Sequence, residues 1–287
     1  MQSYTYSDLE ADLKALKIPF ESIGKSVNGK NIYAFTLGKG KKQVFYNGAH
    51  HGLEWLTAPL LMHFATDYIY AENTGKRLSG FNIKELSERT KIHIVPMVNP
   101  DGIGIATFGT KDPFLISLNH GNDFRKTWQS NARGVDLNHN YDAGFDLCRK
   151  HEQKLGITGP GPTRYGGTHP ESEPEVKAIC NYVRDHDFSL CIAFHSQGEV
   201  IYSDYNGQFP QFSKEICREL CKISGYRPDY TEGIASYGGF KDWFIKEYNR
   251  PAYTVEIGSG KNPLSGSQFE SIYNKNLGIL ILSAFLC

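Results

Sequence analysis

The chain has no excess of charge of either sign: 31 Lys and Arg balance 31 Asp and Glu. No whole-molecule field therefore attracts nucleic acid or an anionic membrane, and charge-based recognition has to be local. Long hydrophobic runs are also missing. The longest, Leu277 to Leu286, is about half of the roughly 20 residues a membrane-spanning helix needs, and it reads as a final core helix. The first residues, MQSYTYSDLEADLKALK, carry acids where an export signal would carry its apolar run. A cytoplasmic location is expected, or a secreted or spore-associated one if a leading segment is removed. Cysteine is sparse and scattered, with six residues and no CxxC pair, which excludes the disulfide frameworks of small secreted domains and leaves free, mostly buried thiols. There is no repeat and no Pro/Gly-rich linker, so 1–287 reads as a single domain.

The 40% apolar and 22% charged residues exclude disorder, collagen-like fibres and coiled-coil rods. Runs rich in β-branched and aromatic residues predict strands at Gln43–Asn47, Lys91–Val98, Leu190–His195 and Ala252–Ile257, separated by helical periodicity. That alternation implies an α/β sheet covered on both faces. Helix starts are expected at capping boxes formed by Ser172 with Glu175 and Ser267 with Glu270, and at Thr57 ahead of Pro59.

In open α/β sheets, ligands bind beyond the carboxyl ends of strands. His51 follows one such run, His195 ends another and Glu256 ends a third. His51 and Glu54 form an HxxE pair, a spacing that a turn can aim at one ion. The pair alone is weak, because ten histidines supply on the order of 0.6 chance matches. His195 is the best-placed third ligand, and two His, one Glu and a water form an open catalytic zinc site. Singly, each histidine is as well explained as a loop or hydrogen-bonded core residue. His50, next to His51, points to the other side of the strand end and is expected to be structural. The 17 Tyr and 17 Phe are expected in the core rather than on a stacking surface.

Seven segments in order, HGLEW, FRKTW, NARGVDLNHNY, GPGPTRYGGTHPESEPE, IAFHSQGE, GGFKDW and YTVEIGSG, resemble the zinc metallocarboxypeptidases, the carboxypeptidase A-like peptidases, from about residue 4 to residue 286 of the chain. The resemblance implies one α/β domain with a mixed, roughly eight-stranded sheet between helices and one Zn2+. It assigns His51, Glu54 and His195 as metal ligands, Glu256 as general base, and Arg125 as the arginine that stabilises the oxyanion. Asp136 becomes the acid that orients a ligand histidine.

Where the digestive members hold a terminal carboxylate with an Asn-Arg pair, this chain has Asn138 and His139. Histidine has one donor and only partial charge, so the grip on a free C-terminus is expected to be weaker. The position of the family's phenolic tyrosine falls on Ile234, with Tyr237 nearby as its replacement, and the base of the specificity pocket falls on Lys241, which suits a substrate that brings an anion. These departures resemble the bacterial branch that cleaves γ-D-glutamyl-L-diamino acid bonds in peptidoglycan stem peptides. The expected partner is a peptide or muropeptide, with no nucleic acid and no membrane. Three alternatives stay open: a conventional carboxypeptidase with Arg133 or Lys241 in place of the missing arginine, a deacylase or amidase acting on small N-acylated amino acids, and a non-catalytic zinc-binding or wall-binding module.

Overall fold

Strand formation follows the predicted runs closely and builds one sheet. A computed structural model describes residues 2–287. Its strands are β1 (Phe20–Lys25), β2 (Asn31–Leu37), β3 (Lys42–Gly48), a small hairpin of β4 (Arg77–Leu78) and β5 (Phe81–Asn82), β6 (Thr90–Val95), β7 (Phe188–His195), β8 (Val200–Tyr202), β9 (Arg227–Asp229) and β10 (Ala252–Glu256). Apart from the hairpin they form an eight-stranded mixed sheet in the order β1-β2-β6-β3-β7-β10-β8-β9. The expected strand over Lys91–Val98 stops at Val95, just ahead of Pro96, whose missing N–H cannot extend a ladder.

Period-two alternation splits the core between the two faces. Val44, Tyr46, Leu190, Ile192, Phe194, Tyr253 and Val255 pack on one side, under the helices Thr57–Thr74, Ser213–Ser224 and Phe269–Leu286. Phe45, Cys191, Ala193 and Ala252 face the other, under Pro174–Arg184 and Phe240–Tyr248. Helices thus cover both faces of a single α/β domain. Among the described residues no helix is long and apolar enough to cross a membrane, and the six cysteines are free thiols, five of them buried.

The expected helix caps are corrected by tertiary contacts. Ser172 Oγ instead receives the Asn140 amide and donates to Glu173, which itself occupies the cap position of Pro174–Arg184. Ser265, not Ser267, caps the 3-10 turn Gly266–Gln268, and the final helix starts after it. Thr57 is helical rather than capping, and its hydroxyl joins the Glu54 carbonyl to the Ala49 N–H.

Glu175, the expected capping partner, lies in the core between Val27 N–H (3.0 Å) and the Asn131 amide (3.2 Å). Burial pushes its carboxyl up to about 7. The folded chain therefore keeps a proton that the unfolded chain has lost, and stability from this group, full below about pH 4, falls as pH rises towards 7. The loss amounts to about 3 kcal/mol. Glu175→Gln keeps the acceptor for Val27 and has nothing to ionise. Urea midpoints at pH 5 and pH 8 should show the variant gaining on the wild type as pH rises; parallel curves would contradict this.

Candidate active site

Strands β3, β7 and β10 run parallel, and their register aligns their carboxyl ends, with Gly48 opposite Phe194 and His195 opposite Glu256. One edge of the sheet thus receives all three expected strand-end groups. His195 and Glu256 fall on the same face as Ala193 and Thr254 by alternation. His51 and Glu54 come from the loop after β3, where Gly52 lets the chain pass close to its neighbours. A Cβ there would sit 2.5 Å from the Trp128 carbonyl oxygen and 2.6 Å from that of Gly102. Gly52→Ala should therefore displace both ligands, at a cost of about 1–3 kcal/mol in stability and with weaker zinc binding, read by thermal melts and competition with a chromogenic chelator. Unchanged affinity would show that the loop can yield.

The ring nitrogens of His51 and His195 converge on the Glu54 carboxylate. His51 Nδ1 lies 2.8 Å from Oε1, His195 Nδ1 lies 3.0 Å from Oε2, and the two nitrogens stand 3.3 Å apart. Bonds of about 2.05 Å at tetrahedral angles place two ligand atoms about 3.3 Å apart. Two imidazoles and one carboxylate, with ligand atoms all within 4.8 Å of one another, therefore fit a zinc ion in both spacing and donor chemistry.

The neighbouring residues hold this arrangement from behind. Asp136 faces His51 Nε2 at 3.0 Å and also accepts the Arg164 and Asn138 N–H groups, an arrangement that fixes the ring with Nδ1 inward. Burial drives His51 down, but the charges of Glu54 and Asp136 outweigh it and leave the ring well above its ordinary value. Burial raises Glu54 and Asp136 in turn, and the facing histidine holds both carboxyls well below theirs. Glu54 further receives the Ser196 N–H at 3.2 Å. His50 is fully buried and hydrogen-bonds the Tyr141 hydroxyl at 2.9 Å, outside the ligand set.

A cavity of about 240 Å³ opens in front of the ligands, lined by His51, His195, Glu256, Asn138, His139 and Lys241 among others. Burial, and next the charge of Glu54, push the Glu256 carboxyl well above its ordinary range. Asn138 Oδ1 accepts the Phe240 N–H at 3.0 Å, which leaves its NH2 end for a ligand. His139 Nδ1 is occupied from behind by the Tyr237 carbonyl (3.3 Å) and Cys148 Sγ (3.5 Å), so Nε2 is the end available to the cavity.

Three expected placements differ. Arg125 is largely exposed, bound side-on to Asp123 at 2.9 and 3.0 Å, and lines a separate cleft with Leu53, Trp55 and Thr107. The Asp123 that caps its short helix also captures its guanidinium. The Tyr237 ring stacks on His151 and crowds Gly144, away from the cavity; the tyrosines that line it are Tyr202 and the exposed Tyr230. Lys241 lies at the cavity but is already ion-paired with its neighbour Asp242. Sequence reasoning also missed Asn262, whose amide donates to the Ser196 carbonyl at 2.7 Å and approaches Glu54 at 3.5 Å. No sequence signal marks a contact 208 residues away.

Comparison with known proteins agrees with this geometry. Residues 17–278 match the family model described as zinc carboxypeptidase. The chain is 36% identical over 295 residues to "Gamma-D-glutamyl-L-diamino acid endopeptidase 1" of Lysinibacillus sphaericus, covering 99% of this chain and 73% of that protein. Among solved structures, bovine thrombin-activatable fibrinolysis inhibitor in complex with tick carboxypeptidase inhibitor superposes with a TM-score of 0.76 at 21% identity, covering 99% of this chain and 97% of that one. Murein-tripeptide amidase from Escherichia coli O157 superposes at 0.57 and 18% identity, covering 98% and 97%. At those identities the two structures speak for the fold.

Proposed function

The chain belongs to the zinc carboxypeptidase family, and from that premise we propose that it hydrolyses the amide between the γ-carboxyl of D-glutamate and a diamino acid in peptidoglycan stem peptides. The observation that carries this reading is the cavity's lining. Among the described residues no arginine contributes to it, and its lysine is paired. A free C-terminal carboxylate thus meets no guanidinium fork of the kind that grips carboxylates bidentately. Arg133, the other stand-in, pairs with Glu173 instead. The relative named for γ-D-glutamyl-L-diamino acid bonds, similar along nearly the whole chain, supports the same choice.

His51, Glu54 and His195 would hold the zinc, which when bound polarises the scissile carbonyl and makes water acidic enough to react near neutral pH. The chain's own residues supply the rest. Glu256, which lines the cavity, would take a proton from the attacking water at one Oε and return it to the leaving amine. Asp136 keeps His51 from turning. Asn138 and His139 offer an amide NH2 and a ring Nε2 to the substrate's polar groups. Arg125 reaches the oxyanion only by leaving Asp123, so its contribution requires that ion pair to open. The unbonded thiols suit a reducing, cytoplasmic setting.

Kinetics on two substrates should separate this reading from a conventional carboxypeptidase. A stem peptide ending in meso-diaminopimelate should be cut whether or not D-Ala blocks that residue's α-carboxylate, while an N-acyl dipeptide with a free C-terminus should be cut poorly. The opposite order would favour the conventional enzyme.

A further inference from the structure

The sheet face behind the metal ligands carries a polar side chain that the fold does not account for. Asn47 lies on β3 and is fully buried, and neither its Oδ1 nor its Nδ2 has a hydrogen-bond partner among the described residues. Its surroundings on that face are rings. Phe45, two residues earlier, packs against Phe240 with centroids 5.7 Å apart, and His50, three residues later, packs against the same ring at 6.3 Å. Leaving a buried polar group unpaired costs about 1–3 kcal/mol, a cost that leucine at this position would not carry.

His195 has the matching need. Its Nδ1 faces Glu54 at 3.0 Å, on the metal side, while its Nε2 is buried with no partner among the described residues. A histidine that ligates zinc almost always gives its other ring N–H to an acceptor, which fixes the tautomer and the orientation of the ring. Asp136 serves His51 in this way at 3.0 Å. On the adjacent parallel strand Asn47 is in register with Ala193, so it shares a face with His195 and stands diagonally across from it. Diagonal neighbours on paired strands lie about 7–8 Å apart, a span that two side chains and one water molecule cover. The His50 ring stacks on His195 at 5.2 Å and has its own Nδ1 buried and unpaired. Buried waters typically make about three hydrogen bonds to polar atoms of this kind.

We propose that Asn47 is the positioning residue of His195, holding the ligand's Nε2–H through one water that donates to the Asn47 amide oxygen and makes its third bond with His50 Nδ1. Charge explains why an amide stands here rather than a second carboxylate. The two positive charges of Zn2+ are matched by Glu54 and Asp136, so another buried carboxylate would be left uncompensated. A neutral acceptor orients the ring without adding one. This role rests on the zinc ligand set and is independent of which amide bond the site cuts.

The test compares the wild type with Asn47→Leu and Asn47→Asp, reading zinc affinity by competition with a chromogenic chelator and the melting temperature of each zinc-free protein. Asn47→Leu removes the acceptor and should bind zinc about 10- to 100-fold more weakly. Asn47→Asp keeps an acceptor oxygen and should hold zinc at least as tightly as the wild type, although its zinc-free form, with one more buried charge, should melt at a lower temperature. A side chain that served only packing would give the reverse order, with zinc binding intact in the leucine variant and impaired in the aspartate variant. That order, or equal zinc affinity in all three proteins, would overturn the proposal. Should the leucine variant fail to fold, a high-resolution crystal structure of the zinc-loaded wild type decides: an ordered water within hydrogen-bond distance of both Asn47 Oδ1 and His195 Nε2 is the expected result, and a dry contact or a different partner for Nε2 would overturn it.

Discussion

Replacing Glu256 with glutamine should lower kcat about a thousandfold while zinc content and melting temperature stay at wild-type values. Glutamine keeps the shape and one acceptor oxygen but cannot accept and return a proton. Glu256 ends a buried strand, in register with His195 and beside the cavity, so the substitution alters one chemical property at a fixed position. Burial, and next Glu54, push its carboxyl upward, and a carboxylate base fails once it is protonated. The wild-type pH profile should therefore have an acid limb that the residual activity of the variant lacks. A variant with full activity would remove Glu256 from the reaction.

Removing a metal ligand should have an effect as large, by a different route. His195→Ala or Glu54→Gln should abolish zinc retention through dialysis and reduce hydrolysis to background, as chelation of the wild type should. Added zinc should restore the chelated wild type but neither variant. A ligand that binds only the native state stabilises it by RT ln(1 + [L]/Kd), about 4 kcal/mol at a thousandfold excess over Kd. The wild type should accordingly melt at lower temperature when stripped, whereas the variants should melt at the same temperature with and without chelator. Asp136→Asn separates holding the ring from binding the metal: weaker zinc binding by about 10- to 100-fold is expected, with activity recovered at high zinc. Zinc-independent activity in either ligand variant would contradict the assignment of His51, Glu54 and His195.

Much of this site was legible in the sequence because strand ends and short spacings are local properties. The runs before His51, His195 and Glu256 predicted strands, and parallel pairing of β3, β7 and β10 then brings their ends to one edge. The HxxE pair needed only one turn. What escaped were directions chosen by partners distant in the chain or by competing neighbours. Arg125 lies in its expected segment, but Asp123, two residues away, takes its guanidinium. Tyr237 lies in the expected loop with its ring turned to His151, while Tyr230, seven residues earlier, reaches the cavity. The charge of Lys241 could be read from the chain, but its ion pair with Asp242 and its hydrogen bond to the Asp204 backbone carbonyl appear only when the helix docks. The capping motifs failed for the same reason, since Asn140 claims Ser172 from 32 positions away. Local hydrogen-bonding signals yield where a buried polar group elsewhere needs the same partner.

The most direct test of the account is a mass-spectrometric digest of L-Ala-γ-D-Glu-meso-diaminopimelate by the zinc-loaded wild type and by Glu256→Gln. Release of L-Ala-D-Glu and free diaminopimelate by the wild type alone is the predicted result. An intact peptide under conditions in which the same preparation trims ordinary C-terminal residues would contradict it.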